Sequence, residues 1–116
     1  MADGLEIREY TGEGYRRVFE FGAWTVAILN RNAEFTKNTY VEAHLLTDEV
    51  FVLLCGSATL YIGAEREPVK MEPRKLYDVK AGTYHSIEVS PDASVLICEN
   101  RDTCRDNSRY IPVKPE

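Results

Sequence analysis

The run Glu42-Ala43-His44-Leu45-Leu46-Thr47-Asp48-Glu49-Val50-Phe51-Val52-Leu53-Leu54-Cys55-Gly56 decides how the rest of this chain is read. Successive side chains of a β-strand point to opposite faces, so Glu42 and His44 share a face and can aim at a common centre. Thr47-Asp48 reads as a tight turn, after which Glu49 to Cys55 forms a strand rich in Val, Phe and Leu. That strand is expected beside the first, with Glu49 close to His44. If Glu49 points inward, Phe51, Leu53 and Cys55 follow it at a period of two and line the same cavity, while Val50, Val52 and Leu54 occupy the opposite face. The other histidine of the chain, His85, also opens a strand-like run, with Ile87 and Val89 behind it. Histidine and glutamate gathered from separate strands are a usual vocabulary for a divalent metal.

Outward from this stretch, short segments rich in β-branched and aromatic residues recur between turn signals, the pattern of an all-β sandwich or barrel. Phe19 to Leu29 carries Phe21, Trp24, Val26 and Ile28, is interrupted by Gly22, and reads as one or two strands. Asn30-Arg31-Asn32 suggests a turn before a strand from Thr39 to Leu46. Gly56-Ser57 is expected to reverse the chain into Ala58, Leu60 and Ile62 as a hairpin. Val69 to Met71, Leu76 to Val79, His85 to Val89 and Ser94 to Glu99 complete the set, the last two expected as a hairpin around Ser90-Pro91-Asp92. Beyond Asn100 the composition turns polar, and two prolines near the end predict an extended or frayed tail.

Composition sets the outer bounds. A chain of 116 residues with 44% hydrophobic and 28% charged residues is globular and fits one domain. Nineteen acids against fourteen bases, net −5, argue against a nucleic-acid partner, which asks for a basic surface. No apolar run approaches the roughly 20 residues of a membrane helix, so no membrane partner is expected. The start of the chain shows neither a basic nor an apolar leader region, so the cytoplasm is the expected location. Cys55, Cys98 and Cys104 show no metal-binding spacing; Cys55 and Cys98 read as small buried residues of a reduced protein.

The quoted residues carry a resemblance. Glu42-x-His44, four residues, Glu49, six residues, Gly56 is similar to the first motif of the cupin family, and Gly82-x-x-His85 is similar to the core of the second. The likeness spans about Thr36 to Val89, with a short inter-motif segment resembling compact single-domain cupins. It implies an all-β, single-domain jelly-roll β-barrel over residues 1–116, with a core of about 18–99 and a polar tail at 100–116. Carried over position by position, it implies His44, Glu49 and His85 as metal ligands, with Glu42 where the family usually places its first histidine. It further implies iron, manganese, nickel or zinc as the ion. Lys80 stands where the family has proline, Arg74 where it has glycine, Val89 where it has asparagine, and Thr36 where the motif opens with glycine.

Three functional expectations follow. The first is a metal-dependent cupin that binds or converts a small polar molecule such as a sugar or organic acid. Glu42 is then a base if it is not a ligand, and Tyr84, which adjoins His85, is the other candidate catalytic group. The second is a metal-free, non-catalytic binder of a small molecule, and the third a structural module that uses the barrel exterior. Val50, Val52 and Leu54 need a cover, either the segment around Phe19, Phe21 and Trp24 or a second subunit, and a homodimer is expected.

Overall fold

The computed structural model describes residues 3–31 and 40–112, with Tyr40 described by its backbone alone. Among them run β1 (Gly14–Phe21), β2 (Trp24–Asn30), β3 (Tyr40–His44), β4 (Glu49–Cys55), β5 (Ala58–Ile62), β6 (Glu67–Lys70), β7 (Tyr77–Val79), β8 (His85–Val89), β9 (Ser94–Asn100) and β10 (Ser108–Pro112). A 3-10 turn, Arg105–Asn107, leads into the last strand. Two five-stranded sheets, ordered β1-β2-β9-β4-β7 and β10-β3-β8-β5-β6, face each other as an antiparallel jelly roll. The expected Asn30-Arg31-Asn32 turn and the motif position Thr36 fall partly or wholly outside the described residues.

The inward faces follow the predicted period of two. Phe51 and Leu53 of β4 oppose Ile97 and Val95 of β9, Ala27 and Leu29 of β2 continue the row, and Leu60 meets Ile87 across the facing sheet. These residues, with Ala58, Met71, Val79, Val89 and Ala93, make one buried apolar core. Burying each large aliphatic side chain contributes about 1.5–3 kcal/mol, which is what ties the two sheets together.

Two expected hairpins are instead crossovers. β4 pairs with β7 and β9 while β5 pairs with β6 and β8, so Gly56-Ser57 carries the chain from one sheet to the other. Gly56 takes a φ of 72°, and a Cβ there would lie 2.5 Å from the Cα of Ala93, so only glycine lets the two corner segments touch. Ser90-Pro91-Asp92 likewise crosses between β8 and β9 in opposite sheets. The corners lock to each other: Ser90 donates its backbone N–H to the carbonyl of Ser57 at 2.8 Å.

Cys55 is exposed and Cys98 only half-buried, contrary to the expected burial of both. A register shift between Leu53 and Cys55 breaks the alternation that would have sent Cys55 inward, and Cys98 lies on the outer face of its strand between Val26 and Val50. The stretch expected as a polar tail contains β10, which pairs with β3 from Ser108↔His44 to Pro112↔Tyr40. Its terminal Pro112 and its charged Arg109 suit an edge strand, where one row of backbone groups needs no ladder partner. Arg74 adopts a φ of 68° in the turn before β7, so the backbone keeps the shape of the family's glycine without the glycine.

Candidate metal centre

Four inward rows of the jelly roll end in a polar residue, and they end at the same side. Glu49 precedes Phe51 and Leu53, His85 precedes Ile87 and Val89, Thr25 precedes Ala27 and Leu29, and Glu99 follows Val95 and Ile97 in the antiparallel direction. The result is a polar cup above an apolar floor. His44, Glu49, His85, Glu99, Thr25 and Ser108 are its buried polar members.

Glu42 and His85 are direct register partners on β3 and β8, and His44 follows Glu42 on the same face. Glu49 was expected on the strand next to β3, but β4 belongs to the opposite sheet, so its carboxylate reaches the histidines from across the cup. Its Oε1 lies 2.8 Å from His85 Nε2 and 3.4 Å from His44 Nε2, while Glu42 Oε1 lies 3.5 Å from the same His44 nitrogen. The imidazole centroids are 5.2 Å apart, and the Phe51 ring stands edge-on to His85 at 5.9 Å. The loop of the second motif is tied to the end of the first: Gly82 N–H donates to the His44 carbonyl at 2.8 Å, and Ala81 N–H to Asp48 Oδ1 at 2.8 Å. Lys80, in place of the family's proline, reaches Asp78 at 2.7 Å on the surface.

Hydrogen bonding orients both rings. Ser108 donates its hydroxyl to the Cys104 carbonyl at 2.8 Å, so the oxygen is left to accept from His44 Nδ1, also at 2.8 Å. His85 Nδ1 faces the Thr83 carbonyl at 3.0 Å, which can only accept. Both Nδ1 atoms therefore carry hydrogen, and both Nε2 atoms look into the cup at carboxylate oxygen. A neutral imidazole in that tautomer presents a lone pair to an acceptor, an arrangement that calls for a cation between them.

In the metal-free protein a proton fills that role. Burial alone would lower His44, but its hydrogen bonds to Glu42 and Glu49 outweigh this and raise it to about 10. His85 shifts the same way, burial being overcome by Glu49. Glu49, which burial would raise, is held down to about 2 by the two imidazoles. Glu99, beside them, is raised to about 7 by burial and by the charge of Glu49.

Of the predicted site residues, the fold brings Glu42, His44, Glu49 and His85 together. Tyr84 is half-buried just ahead of β8, and among the described residues the contacts that knit the cluster do not include its phenol. Glu99 and Ser108 were missed. Glu99 was legible in principle, since Val95 and Ile97 point inward at the same period; Ser108 lay in the presumed tail. Two overlapping donor sets result, Glu42-His44-His85 and His44-Glu49-Glu99, each with ligand atoms within 4.8 Å of one another. Two imidazoles with neighbouring carboxylates are a donor set suited to Mn, Fe or Zn, so the cluster can hold a divalent ion.

No protein-family profile and no curated protein matches the sequence. Solved structures do resemble it. A cupin-2 domain protein of Shewanella frigidimarina is 17% identical with a TM-score of 0.61, over 79% of this chain and 85% of that one. KdgF from Halomonas sp. is 15% identical with a TM-score of 0.58, over 79% and 81%. Pac13, a nucleoside dehydratase known from Streptomyces, is 13% identical with a TM-score of 0.62, over 95% of each chain. Likeness in backbone at such low identity concerns architecture alone, and it agrees with the motif spacing: this chain has the fold of a small cupin.

Proposed function

We propose that the protein is a metal-dependent small cupin whose cup binds, and in an enzymatic version converts, a small polar molecule such as a sugar or organic acid. The observation that carries this reading is the paired orientation of His44 and His85, both Nδ1–H groups tied to oxygen acceptors and both Nε2 atoms turned toward Glu49. Oxygen acceptors that hold the outer ring N–H in this way fix the orientation of metal-ligating histidines in other proteins. His44, Glu49 and His85 hold the ion, with Glu42 as a further oxygen donor at the rim. The ion, when bound, supplies a positive charge that polarises a carbonyl or hydroxyl of the ligand. Glu42 is the rim member of the cluster, its side chain 34% exposed, so it is the group placed to exchange a proton with a bound molecule. Pac13, which has been solved with uridine, shows that a fold like this one accommodates a nucleoside, so nucleosides join sugars and organic acids as candidates.

Elemental analysis of protein purified without chelator tests the reading. Close to one transition-metal ion per chain, lost in His85→Ala, is the expected result; a metal-free wild type that also refuses added Mn2+ and Fe2+ would overturn it. A thermal-shift screen of sugars, organic acids and nucleosides on the loaded protein then narrows the ligand, because binding to the folded state raises its melting point.

A second reading is a metal-free binder. The protonated His44 bridging Glu42 and Glu49 already neutralises much of the cluster, which favours it. Under it, His85→Ala changes ligand affinity by no more than one lost contact.

The protein forms a homodimer through the outer face of the β1-β2-β9-β4-β7 sheet. Rows Val26, Cys98, Val50 and Ile28, Leu96, Val52 cross three adjacent strands there, and Leu54 beside them is 50% exposed. The segment around Phe19, Phe21 and Trp24 does not cover this face, because β1 extends the same sheet edgewise. Gel filtration is expected to give twice the 13.2 kDa of one chain, and Val52→Lys to give the monomer. Three free cysteines, two of them exposed, suit a reducing compartment such as the cytoplasm.

A further inference from the structure

Glu99 lies outside both sequence motifs, yet its side chain is only 5% exposed, and its strand β9 belongs to the sheet facing the one that carries Glu42. Its two oxygens are in unlike positions. Oε1 accepts from the Tyr15 hydroxyl at 2.9 Å and lies 3.9 Å from the Arg17 guanidinium. Arg17 itself is occupied by the carbonyls of Arg101 and Thr103, at 2.7 and 2.9 Å, so it is fixed to the end of β9 whatever Glu99 does. Oε2 is buried and has no hydrogen-bond donor. A buried polar atom without a partner costs about 1–3 kcal/mol and asks for an explanation. Another carboxylate, Glu49, lies close to Glu99, and with His44 the three offer ligand atoms within 4.8 Å of one another. Two buried carboxylates so placed are reconciled by a proton held between them in the metal-free protein, or by a cation that takes its place.

The geometry points to Glu99 as an additional ligand of the metal centre, its Oε2 supplying a third carboxylate beside Glu42 and Glu49. This rests on the metal-binding reading given above and extends it, because neither the first nor the second motif contains this position. Three carboxylates and two imidazoles form an oxygen-rich set, which favours a hard ion, Mn2+ or Fe2+, over what a histidine-rich centre would prefer. β1 then has a positioning role. Tyr15 holds Oε1 so that Oε2 is aimed before the ion arrives, which spares the centre the entropy of ordering a long side chain on binding.

The test is a Mn2+ titration of metal-stripped protein, followed by the electron paramagnetic resonance signal of free Mn2+, together with the visible spectrum of the Co2+ form. Wild type, Glu99→Gln and Glu99→Asp are compared; the aspartate keeps the charge but withdraws it by one methylene. At least a tenfold loss of Mn2+ affinity in both variants, with an altered Co2+ spectrum, is the expected result. Tyr15→Phe should lose less, with the Co2+ spectrum kept. If both Glu99 variants bind Mn2+ as the wild type does, the assignment falls while the metal centre stands. A lower melting point of the metal-free variants with unchanged Mn2+ affinity also overturns it, since Glu99 would then serve only to anchor β1. A wild type that takes up no Mn2+ removes the metal reading itself, which is a different failure.

Discussion

The two ends of the barrel interior are built from the same strands and obey opposite rules. At one end Leu29, Leu53, Ala58, Leu60, Val89 and Val95 bury their side chains without a polar atom among them. At the other, Glu49, His85 and Glu99 stand four residues along β4, β8 and β9 from Leu53, Val89 and Val95, and with His44 of β3 they bury four titratable groups in two overlapping clusters. The apolar end gains stability from every contact it makes. The polar end desolvates charges, and its ion pairs repay that cost only while every partner is present. The division of labour is that one end holds the fold and the other spends stability on a binding site, and each can be perturbed apart from the other.

The largest effect is expected at the apolar floor. Leu60 is 1% exposed and faces Ile87, so Leu60→Ala leaves a cavity costing about 3 kcal/mol. Urea denaturation of the metal-free protein measures it. Metal content per folded molecule should be unchanged, and a loss of metal at equal foldedness would show that the floor and the cup are not separable. At the polar end, Glu49→Gln should remove metal binding altogether and cost about 2 kcal/mol near pH 6, because two imidazoles lose a charged hydrogen-bond partner. In that variant the His44 proton should come off nearer neutrality, read from the imidazole resonances across a pH titration.

How much of this contrast is legible in the chain itself depends on the range of the interaction. The strands, the inward faces and the convergence of Glu42, His44, Glu49 and His85 are local or periodic properties, and periodicity exposes them. Which sheet a strand joins is not local. Gly56-Ser57 reads as a hairpin turn, and only the approach of Ala93 to Gly56, from a segment far along the chain, shows that it is a corner. The same limit hid β10 and with it Ser108, whose hydroxyl orients His44: its pairing with β3 follows from a free sheet edge, and a free edge has no signature in the partner strand's own residues. Glu99 was overlooked for another reason. The family motifs drew attention to their own positions, although the alternation through Val95 and Ile97 places Glu99 inward as firmly as it places His85.

A smaller and pH-dependent effect separates the ends further. His44, raised from 6.5 to about 10, stabilises the metal-free fold fully below 6.5 and loses that contribution as pH climbs toward 10. Glu49, lowered from 4.5 to about 2, stabilises above 4.5 and loses it as pH falls toward 2. Glu99, raised from 4.5 to about 7, is fully stabilising below 4.5 and declines as pH rises through 7. The metal-free melting point should therefore peak near pH 4.5, decline as Glu99 ionises toward 7 and fall further as His44 loses its proton toward 10, whereas substitutions in the floor shift the curve without bending it. Metal reverses the alkaline limb. An ion must displace the His44 proton, and any that His85 holds, so Mn2+ affinity should climb at least tenfold per pH unit between about pH 7 and 9, with at least one proton released per ion in calorimetry across buffers of different ionisation enthalpy. Pre-charged imidazoles with no proton release would mean that the ion does not use His44.

The smallest change concerns Arg74, at the turn that brings Tyr77 in opposite Phe51. Its φ of 68° is a left-handed conformation costing an L residue about 1–2 kcal/mol, and glycine removes that strain while losing about 0.5–1 kcal/mol of its own in unfolded-chain entropy. Arg74→Gly should thus raise stability by about 0.5 kcal/mol in urea denaturation. Arg74 lies on the side of the floor, away from the histidines, so Mn2+ affinity should not move. A change in affinity would show that the turn before β7 sets the position of Val79, the register partner of Glu49, and hence that backbone strain at one end reaches the ligands at the other.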